Sequence, residues 1–435
     1  MSPIASDSGK LNPLPIPERR LQPKSYHAFR CIGAECEDTC CVGWNVNVDK
    51  RTYEAYQSCP DPVLGPRVRE LVAINAAGKS NDDYARIQLT SEGCPFLDQK
   101  LCSIHKTLGE EYLSSMCATY PRILNIVDDT LVRSLDLACP EAARIVLLNP
   151  NPMEFDEDNG TPGTPRDSLL PVMRTGDSNS AKPYGYFLEI RDFIVWLLQY
   201  RKDPLWKRLV ILGSFCDQLH ASTGAGRQSE IPQVVDGYRD AVQRDLFAQA
   251  LGQPANPAAH LEMIIELIVG RISSDFTAER FRDCYREFMQ GLNWTAESSM
   301  SDLGTRYAAA CREYYGPFIS GHEYILEHYL ASYVYRTLFP LGPSESRTEL
   351  TAHRVARSIR DECLIMLIHY GTIQTMLIGG AAFHKSNFGA GHAVRVIQSF
   401  AKVFEHSIPF PDRALELLQA KRIDNCAGLA MFLRC

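Results

Sequence analysis

The distribution of cysteines constrains this chain more than any other feature of its sequence. Nine of the fifteen cysteines precede residue 140, and the other six are scattered over the rest of the chain. Clustered thiols either pair as disulfides in oxidising compartments or bind a soft metal as thiolates. Eight of the nine fall into two closely spaced sets, and these are the predicted metal ligands: Cys31, Cys36, Cys40, Cys41, Cys94, Cys102, Cys117 and Cys139.

The first residues decide between the two kinds of cysteine chemistry. The segment MSPIASDSGK has neither the basic stretch nor the apolar run of a signal peptide. We therefore expect a cytoplasmic protein with reduced thiols, in which a dense cysteine set is more often metallic or catalytic than cross-linked. The odd cysteine total also fits poorly with a fully paired disulfide scaffold.

The spacing leaves the identity of the metal open. One zinc ion or one 4Fe–4S cluster needs four thiolates, so eight cysteines suffice for two sites, or for one site with spare ligands. The run from Cys31 to Cys41 matches neither a zinc ribbon nor the bacterial ferredoxin pattern. Inert buried thiols are the alternative, and this is the preferred interpretation for Cys59. His105 is a weaker candidate ligand, because a lone histidine near such a site more often supports it than binds the metal.

Composition and charge exclude two other classes. The chain has 435 residues, a formal net charge of −7 and a pI near 5.9. A general nucleic-acid-binding protein is usually basic, so none is expected as a partner. No apolar run approaches the roughly 20 residues that span a bilayer, so no membrane partner is expected either.

The pattern of apolar residues predicts a mainly α protein with a cysteine-rich module carrying short strands, followed by an all-helical domain. Residues 1–24 are rich in proline and are expected to be a poorly ordered lead-in. The module spans 25–148, a flexible linker rich in Pro, Gly, Asp and Asn spans 149–183, and the helical domain spans 184–435.

Local signals place several elements. Asp49 is expected to cap a short helix, and Asp128-Asp129 to form the turn of a hairpin. Pro140 is expected at the first position of a helix that ends near Leu148. One continuous helix is predicted over Glu349–Met376.

The helical half offers only weak site candidates. Gly379, Gly380, Gly389 and Gly391 follow a helical run, so a flexible connection is favoured over a phosphate-binding loop. Two helices carry polar residues, for which a solvated face is the more common outcome and a pocket the alternative. These residues are Glu327, His328, Tyr329, Tyr333, Arg336, Arg395, Gln398, Ser399, Lys402 and His406.

The cysteine segments resemble the flagellin lysine-N-methylase family. The similarity is carried by YHAFRCIGAECEDTCCVGWNVNVDKRTYEAY, CPFLDQKLCSIHKTLGEEYLSSMCATYPR and LDLACPEAARIVL, and more loosely by HYLASYVYRTLFP and VIQSFAKVFEHS. The resemblance implies methyl transfer from S-adenosylmethionine to lysine ε-amines of flagellin, with an iron–sulfur cluster held by these cysteines. Tyr329, Tyr333 and His406 are candidate proton acceptors by residue type.

Two other functions remain compatible with the sequence. The first is a non-catalytic zinc- or iron-binding protein, and the second is an iron–sulfur redox protein. Bound metal and methyl transfer to a protein substrate are the observations that separate the three.

Overall fold

The structure is a computed structural model, and it describes residues 17–42, 46–76, 78, 81–90, 93–159, 170–176, 181–247, 256–272, 278–345 and 349–434. Its first half carries short strands and helices, as predicted. The strands are β1 Arg19–Pro23, β2 Asn47–Val48, β3 Val72–Ile74, β4 Ala85–Ile87, β5 Leu97–Asp98, β6 Leu101–Cys102, β7 Arg122–Val127, β8 Thr130–Leu135, β9 Phe155–Asn159 and β10 Val172–Met173. The helices of this half are α1 Lys50–Gln57, α2 Leu64–Leu71, α3 Ser103–Leu108, α4 Ser115–Thr119 and α5 Pro140–Leu147.

The described part of the second half is built from helices, apart from one isolated bridge at Glu345. They are α6 Phe187–Leu198, α7 Leu205–Gly224, α8 Ile231–Gln243, α9 Pro257–Ile272, α10 Glu279–Gly291, α11 Met300–Ala310, α12 Gly316–Thr337, α13 Glu349–Ala356, α14 Ile359–His384, α15 Ala390–Phe400, α16 Pro409–Ala420 and α17 Cys426–Phe432. A π-helical turn at Ala401–Glu405 extends α15.

Several local predictions are confirmed. The Asp49 carboxylate caps α1 by accepting a hydrogen bond from the Thr52 amide at 2.9 Å. Strands β7 and β8 form the predicted hairpin, with Asp128 at a positive φ of 49° in the turn. Pro140 begins α5, where its missing N–H costs nothing.

The predicted long helix over 349–376 is interrupted. Ser358 caps a new helix, α14, by exchanging hydrogen bonds with Asp361, and this capping box separates α14 from α13. Helical periodicity continues across the break, whereas the Ser-x-x-Asp capping signal marks it.

The lead-in and the linker contribute strands to one sheet, contrary to the expectation of disorder and flexibility. The sheet has the order β10-β7-β8-β1-β9. Strand β1 pairs parallel to β8 and antiparallel to β9, and β10 pairs parallel to β7. Pro23 is tolerated as the last residue of β1 because its missing backbone N–H removes no hydrogen bond from the interior of the sheet. Residues 1–16, 160–169 and 177–180 lie outside the described residues.

The hydrophobic cores divide the chain differently from the predicted boundaries. One large core extends from Phe29 to Leu433. It combines apolar residues of β7, β8 and α5 with those of most helices of the second half. A second, small core holds apolar residues between Val46 and Ile104. The cysteine-rich region is therefore partly a small lobe and partly a layer of the main core.

The longest helix passes through the centre of the main core. Helix α14 is long and apolar enough, by length and composition, to cross a membrane. Every residue of its most apolar stretch is buried inside the protein, as expected for a core helix. Close packing against α10 depends on Gly379, where an added Cβ would lie 2.4 Å from Phe288 Cδ2. Gly379 thus serves helix packing, whereas an added Cβ at Gly389 or Gly391 would meet no described atom within 4 Å.

Candidate functional site

Backbone contacts bring the first cysteine set next to the second. The Cys94 N–H donates to the Cys41 carbonyl at 2.9 Å. This close approach requires Gly93, which has a φ of +108°, and whose added Cβ would lie 2.6 Å from the Val42 side chain. Cysteines that are more than fifty residues apart in the sequence therefore start from adjacent backbone positions.

Two further elements carry Cys102 and Cys117 to the same place. Cys102 ends the short β5–β6 hairpin, where it pairs with Leu97. Cys117 lies in α4, whose start is fixed by Asp49: this carboxylate accepts hydrogen bonds from the Ser115 amide at 2.9 Å and hydroxyl at 3.0 Å. Asp49 thus connects the first cysteine segment to the helix that presents Cys117.

The thiols influence one another electrostatically. A hydrogen bond from Cys41 lowers the pKa of Cys94. Burial raises the pKa of Cys117 to about 11, with further contributions from Cys102 and Cys40. The pKa of Cys41 is raised to about 12, although its bond to Cys40 opposes the shift, because Cys94, burial and Cys102 act together. Five thiols therefore lie within electrostatic range of each other: Cys40, Cys41, Cys94, Cys102 and Cys117.

The other three predicted ligands lie at the border of this group. Burial raises the pKa of Cys139 to about 12, and Cys36 and Cys40 add to the shift. Cys36 in turn lies within range of Cys31. Cys59 belongs to the small core and is buried. His105 is exposed, and its backbone N–H faces the Cys102 thiol.

No three metal-ligating side chains of the described residues are already arranged around a common point. The Cys41 thiol instead lies close enough to those of Cys40 and Cys94 for each to shift its pKa. Two observations fit a soft cation: the donor set is sulfur, and burial with contributions from neighbouring thiols raises the pKa of Cys102 and Cys117, a shift that a bound cation would reverse. Side-chain rotation about Cα–Cβ is what ligation would require.

The acidic residues between the cysteines attach this segment to the helical domain. Asp38 accepts hydrogen bonds from Gln398 Nε2 at 2.9 Å and Lys402 Nζ at 2.8 Å. Lys402 also donates to the Thr39 carbonyl at 2.7 Å, and Gln398 to the Ala138 carbonyl at 2.8 Å. Burial alone would raise the pKa of Asp38, but the Lys402 ammonium lowers it. Gln398 and Lys402, part of the polar face predicted on α15 and its extension, are therefore buried. They hold the residues next to two cysteines, Thr39 beside Cys40 and Ala138 beside Cys139.

A buried ion-pair network continues from this point into the helical domain. Glu405 accepts hydrogen bonds from Tyr329 Oη at 2.8 Å and from Arg336 Nη1 at 2.8 Å. Burial opposes the ionisation of Glu405, yet the Arg336 charge lowers its pKa. His406 lies next in sequence, and its Nε2 is 2.9 Å from Asp136 Oδ2. The charges of this network are matched in pairs.

Tyr120 shows that the thiols and the network form one continuous region. Burial raises the pKa of its phenol strongly, and the charges of Asp136, Cys139, Cys40 and Asp38 all add to the shift. The Tyr120 hydroxyl therefore lies within electrostatic range of both sets. We call this region, from Cys94 through Asp38 to Glu405, the candidate site.

The three predicted proton acceptors are positioned differently from one another. Tyr329 donates to Glu405, and burial raises its pKa, so it is a neutral phenol. Burial lowers the pKa of His406, but the Asp136 carboxylate outweighs this and raises it, which favours the imidazolium. Tyr333 packs edge-on against His369, with ring centroids 5.7 Å apart. The paired groups Tyr329 and His406 are thus better suited to stabilising charge than to accepting a proton.

Other polar residues of the two helices have structural partners. Glu327 is buried and pairs with Arg201 Nη2 at 2.8 Å and Arg208 Nη1 at 2.9 Å. His328 Nδ1 lies 3.0 Å from the Val146 carbonyl and connects α12 to α5. Arg395 pairs with Glu287.

Comparison with known proteins places the chain in a family. The family described as "FliB lysine N-methylase C-terminal domain" matches residues 191–432. The chain belongs to this family. The matched range includes Tyr329, Arg336 and Glu405, so one side of the candidate site lies within the family domain.

Curated relatives carry related names. The lysine-N-methylases of Salmonella typhimurium and Salmonella choleraesuis are each 33% identical over 139 residues, which is 31% of this chain and 34% of those proteins. The flagellar biosynthetic protein FliU of Salmonella muenchen is 33% identical over 139 residues, 81% of its length. The chain thus matches about a third of the length of the curated lysine-N-methylases. No solved structure matches.

Sequence reasoning missed the residues that join the two halves of the site. Asp136, Glu405 and Tyr120 received no role. Their importance comes from burial and from partners that are distant in the sequence, such as Arg336 for Glu405 and His406 for Asp136. The spacing of Gln398 and Lys402 on one helix face was the one available signal.

Proposed function

We propose that this protein is a cytoplasmic lysine methyltransferase that moves a methyl group from S-adenosylmethionine to lysine ε-amines of a protein substrate. Flagellin is the first substrate to test, because the relatives carry the names lysine-N-methylase and flagellar biosynthetic protein. The observation that carries the proposal is membership of the family over residues 191–432, which contain the charged half of the candidate site.

The chemistry makes specific demands on the protein. The methyl donor supplies a sulfonium carbon, and the lysine nitrogen lone pair forms the N–C bond as the C–S bond breaks. A lysine must lose its proton first, since only the neutral amine is a nucleophile. Burying the substrate lysine favours this loss of the proton, because burial lowers the pKa of an ammonium group. The positive charge moves from sulfur to nitrogen, so the site must stabilise a cation throughout.

The described residues can meet the last demand. Carboxylates in the candidate site are held ionised despite burial, as shown by the lowered pKa of Asp136, about 2, and the lowered pKa of Glu405. Their fixed positions avoid reorganisation during the reaction. Tyr329 and Arg336 orient Glu405 through hydrogen bonds. We assign these residues the role of holding charge.

The cysteines are proposed to hold an iron–sulfur cluster, 4Fe–4S being favoured over zinc. The five neighbouring thiols, with Cys31, Cys36 and Cys139 beside them, provide enough thiolates for one cluster of that type. When bound, the cluster supplies a compact cationic metal centre that stabilises thiolates. The Asp38 contacts to Lys402 and Gln398 would transmit its presence to the helical domain.

Labelled S-adenosylmethionine and flagellin test the proposal directly. We expect anaerobically purified protein to transfer label to flagellin lysines, and to show visible absorption from iron–sulfur charge transfer. Label transfer that disappears when the acceptor lysines are changed to arginine would confirm the acceptor. A protein that transfers no label to any lysine while holding zinc stoichiometrically would favour the non-catalytic metal-binding alternative. A coloured protein without transfer would favour the redox alternative.

A further inference from the structure

A second buried polar group lies in the helical domain, around Glu362 at the start of α14. The Glu362 side chain is 1% exposed, yet its nearest cations are distant: Arg354 Nη2 lies 3.7 Å from Oε2 and Arg357 Nη1 lies 3.8 Å from Oε1. Both separations exceed the length of a hydrogen bond. We call Glu362, Arg354, Arg357, Tyr333 and His369 the Glu362 cluster.

Several polar atoms of this cluster have no hydrogen-bond partner among the described residues. They are Glu362 Oε1, Arg357 Nε and both ring nitrogens of His369. Buried polar atoms in proteins are almost always satisfied, because an unsatisfied one loses its hydration without gaining a hydrogen bond. Elsewhere in the same helical domain, Glu327 and Glu405 make direct hydrogen bonds to their arginines. The Glu362 cluster therefore has donors and acceptors that a ligand lying between its charges could satisfy.

The charges specify the kind of ligand. Two guanidinium groups near one carboxylate suit a molecule that carries an anion and a cation side by side. An α-amino acid group has this character: its carboxylate matches arginine, and its ammonium matches Glu362. The aromatic rings beside the cluster, Phe400 at 5.3 Å and Phe410 at 5.9 Å from His369, provide apolar surface for an aliphatic chain.

The cluster is connected to the candidate site and to solvent. His369 and Tyr333 both lie within electrostatic range of Glu405 and Arg336. On the opposite side, Arg357 Nη2 is 3.3 Å from Asp412, a carboxylate that is half exposed. A ligand bound at Glu362 would thus extend toward the charged network from a position near the protein surface.

We propose that the Glu362 cluster binds the α-amino acid end of the methyl donor, with the carboxylate on Arg354 and Arg357 and the ammonium on Glu362. This inference rests on the proposed function, since it assigns the donor of that reaction to a place. The same chemistry would accept free methionine, so the experiment must distinguish the whole donor from its amino acid fragment.

Binding of three small molecules to the full-length protein tests the inference. S-adenosylhomocysteine carries both the nucleoside and the amino acid, methylthioadenosine lacks the amino acid, and methionine lacks the nucleoside. We expect calorimetry to show S-adenosylhomocysteine binding at least about ten times more tightly than methylthioadenosine. In Glu362→Gln and Arg357→Gln this preference should fall to near unity, while methylthioadenosine affinity stays within about twofold.

The control is Glu327→Gln, which changes an equally buried carboxylate outside the cluster. It should lose stability and keep the preference for S-adenosylhomocysteine. Equal binding of the two nucleosides to the unmodified protein, or a preference that survives Glu362→Gln, would overturn the inference and leave the methylation proposal intact. Tight binding of methionine with no binding of either nucleoside would identify the cluster as an amino acid site only. Absence of all binding, together with absence of label transfer, would overturn both proposals.

Discussion

The two sides of the candidate site solve the problem of buried polar groups in opposite ways. In the charged network the buried charges have partners of opposite sign, as Glu405 has Arg336 and Asp136 has His406. In the cysteine lobe the neighbours are alike: burial, together with Cys102 and Cys40, raises the pKa of Cys117, and Cys94, together with burial, raises the pKa of Cys41 against the opposing effect of Cys40. The first arrangement is complete within the chain. The second would become favourable on binding a cation, which is why we propose a metal at the thiols.

The sizes of the two cores lead to the same conclusion. The small lobe has a core of ten buried apolar residues between Val46 and Ile104, whereas the main core extends from Phe29 to Leu433. Small cores rarely provide more than about 3–5 kcal/mol, and natural small domains often add a metal. The lobe is thus expected to depend on its cysteines for stability, and the helical domain is not.

Substituting cysteines should have the largest effect, a loss of bound metal. If the metal content does not fall, the contrast between the cysteine lobe and the helical domain fails. We expect Cys94→Ala and Cys117→Ala to reduce bound iron or zinc at least about tenfold, because each removes one ligand of the proposed four-thiolate centre. Metal analysis and visible absorption of the purified proteins provide the measurement. Cys59→Ala is the matched control, a buried thiol of the same lobe that should keep its metal. Full metal content in all three variants would show that the neighbouring thiols are not ligands.

Breaking an ion pair tests the other side. Glu405→Gln leaves the buried Arg336 guanidinium without a full counter-charge and removes the acceptor of Tyr329. We expect a loss of about 3–5 kcal/mol in the free energy of unfolding, measured with urea. Asp240→Asn, which breaks an exposed pair with Arg244, should change stability by less than about 0.5 kcal/mol. Similar stabilities for the two variants would mean that the network is not structurally important.

Sequence patterns predicted the elements better than their assembly. The Asp49 cap, the hairpin turn at Asp128 and the start of α5 at Pro140 all follow from interactions within a few residues, and the sequence shows them directly. The pairing of β1 with β8 and β9 joins segments more than a hundred residues apart. Composition suggested disorder there because proline and polar residues dominate, but neighbouring strands supply the hydrogen bonds.

The candidate site was predictable to a similar extent. The cysteines were visible as a cluster, and the structure brings five of them within electrostatic range of each other. Their attachment to Gln398 and Lys402 was not predictable, because nothing in the local sequence indicates that Asp38 will meet a helix some 360 residues later. A carboxylate inside a cysteine motif can be either exposed to solvent or buried against a cation. Its partners from distant parts of the chain decide between these two positions.

The pH dependence of the His406–Asp136 pair gives the smallest and most specific test. The pKa of His406 is raised, so its contribution to stability is fully present below the unfolded value of roughly 6.5 and is lost as the pH rises through the folded value. The stability difference between the unmodified protein and His406→Gln should therefore be larger at pH 6 than at pH 9. We expect about 1 kcal/mol at pH 6, a modest value because the His406 side chain is one-third exposed. Asp136, whose pKa is about 2, stays ionised across this range and does not contribute to the change. His353→Gln, at 3.9 Å from Asp412, is the control and should show little difference at either pH. A gap that is constant or that widens with pH would mean that His406 is neutral in the folded protein. The pairing of opposite charges in the network would then fail at the position nearest the thiols.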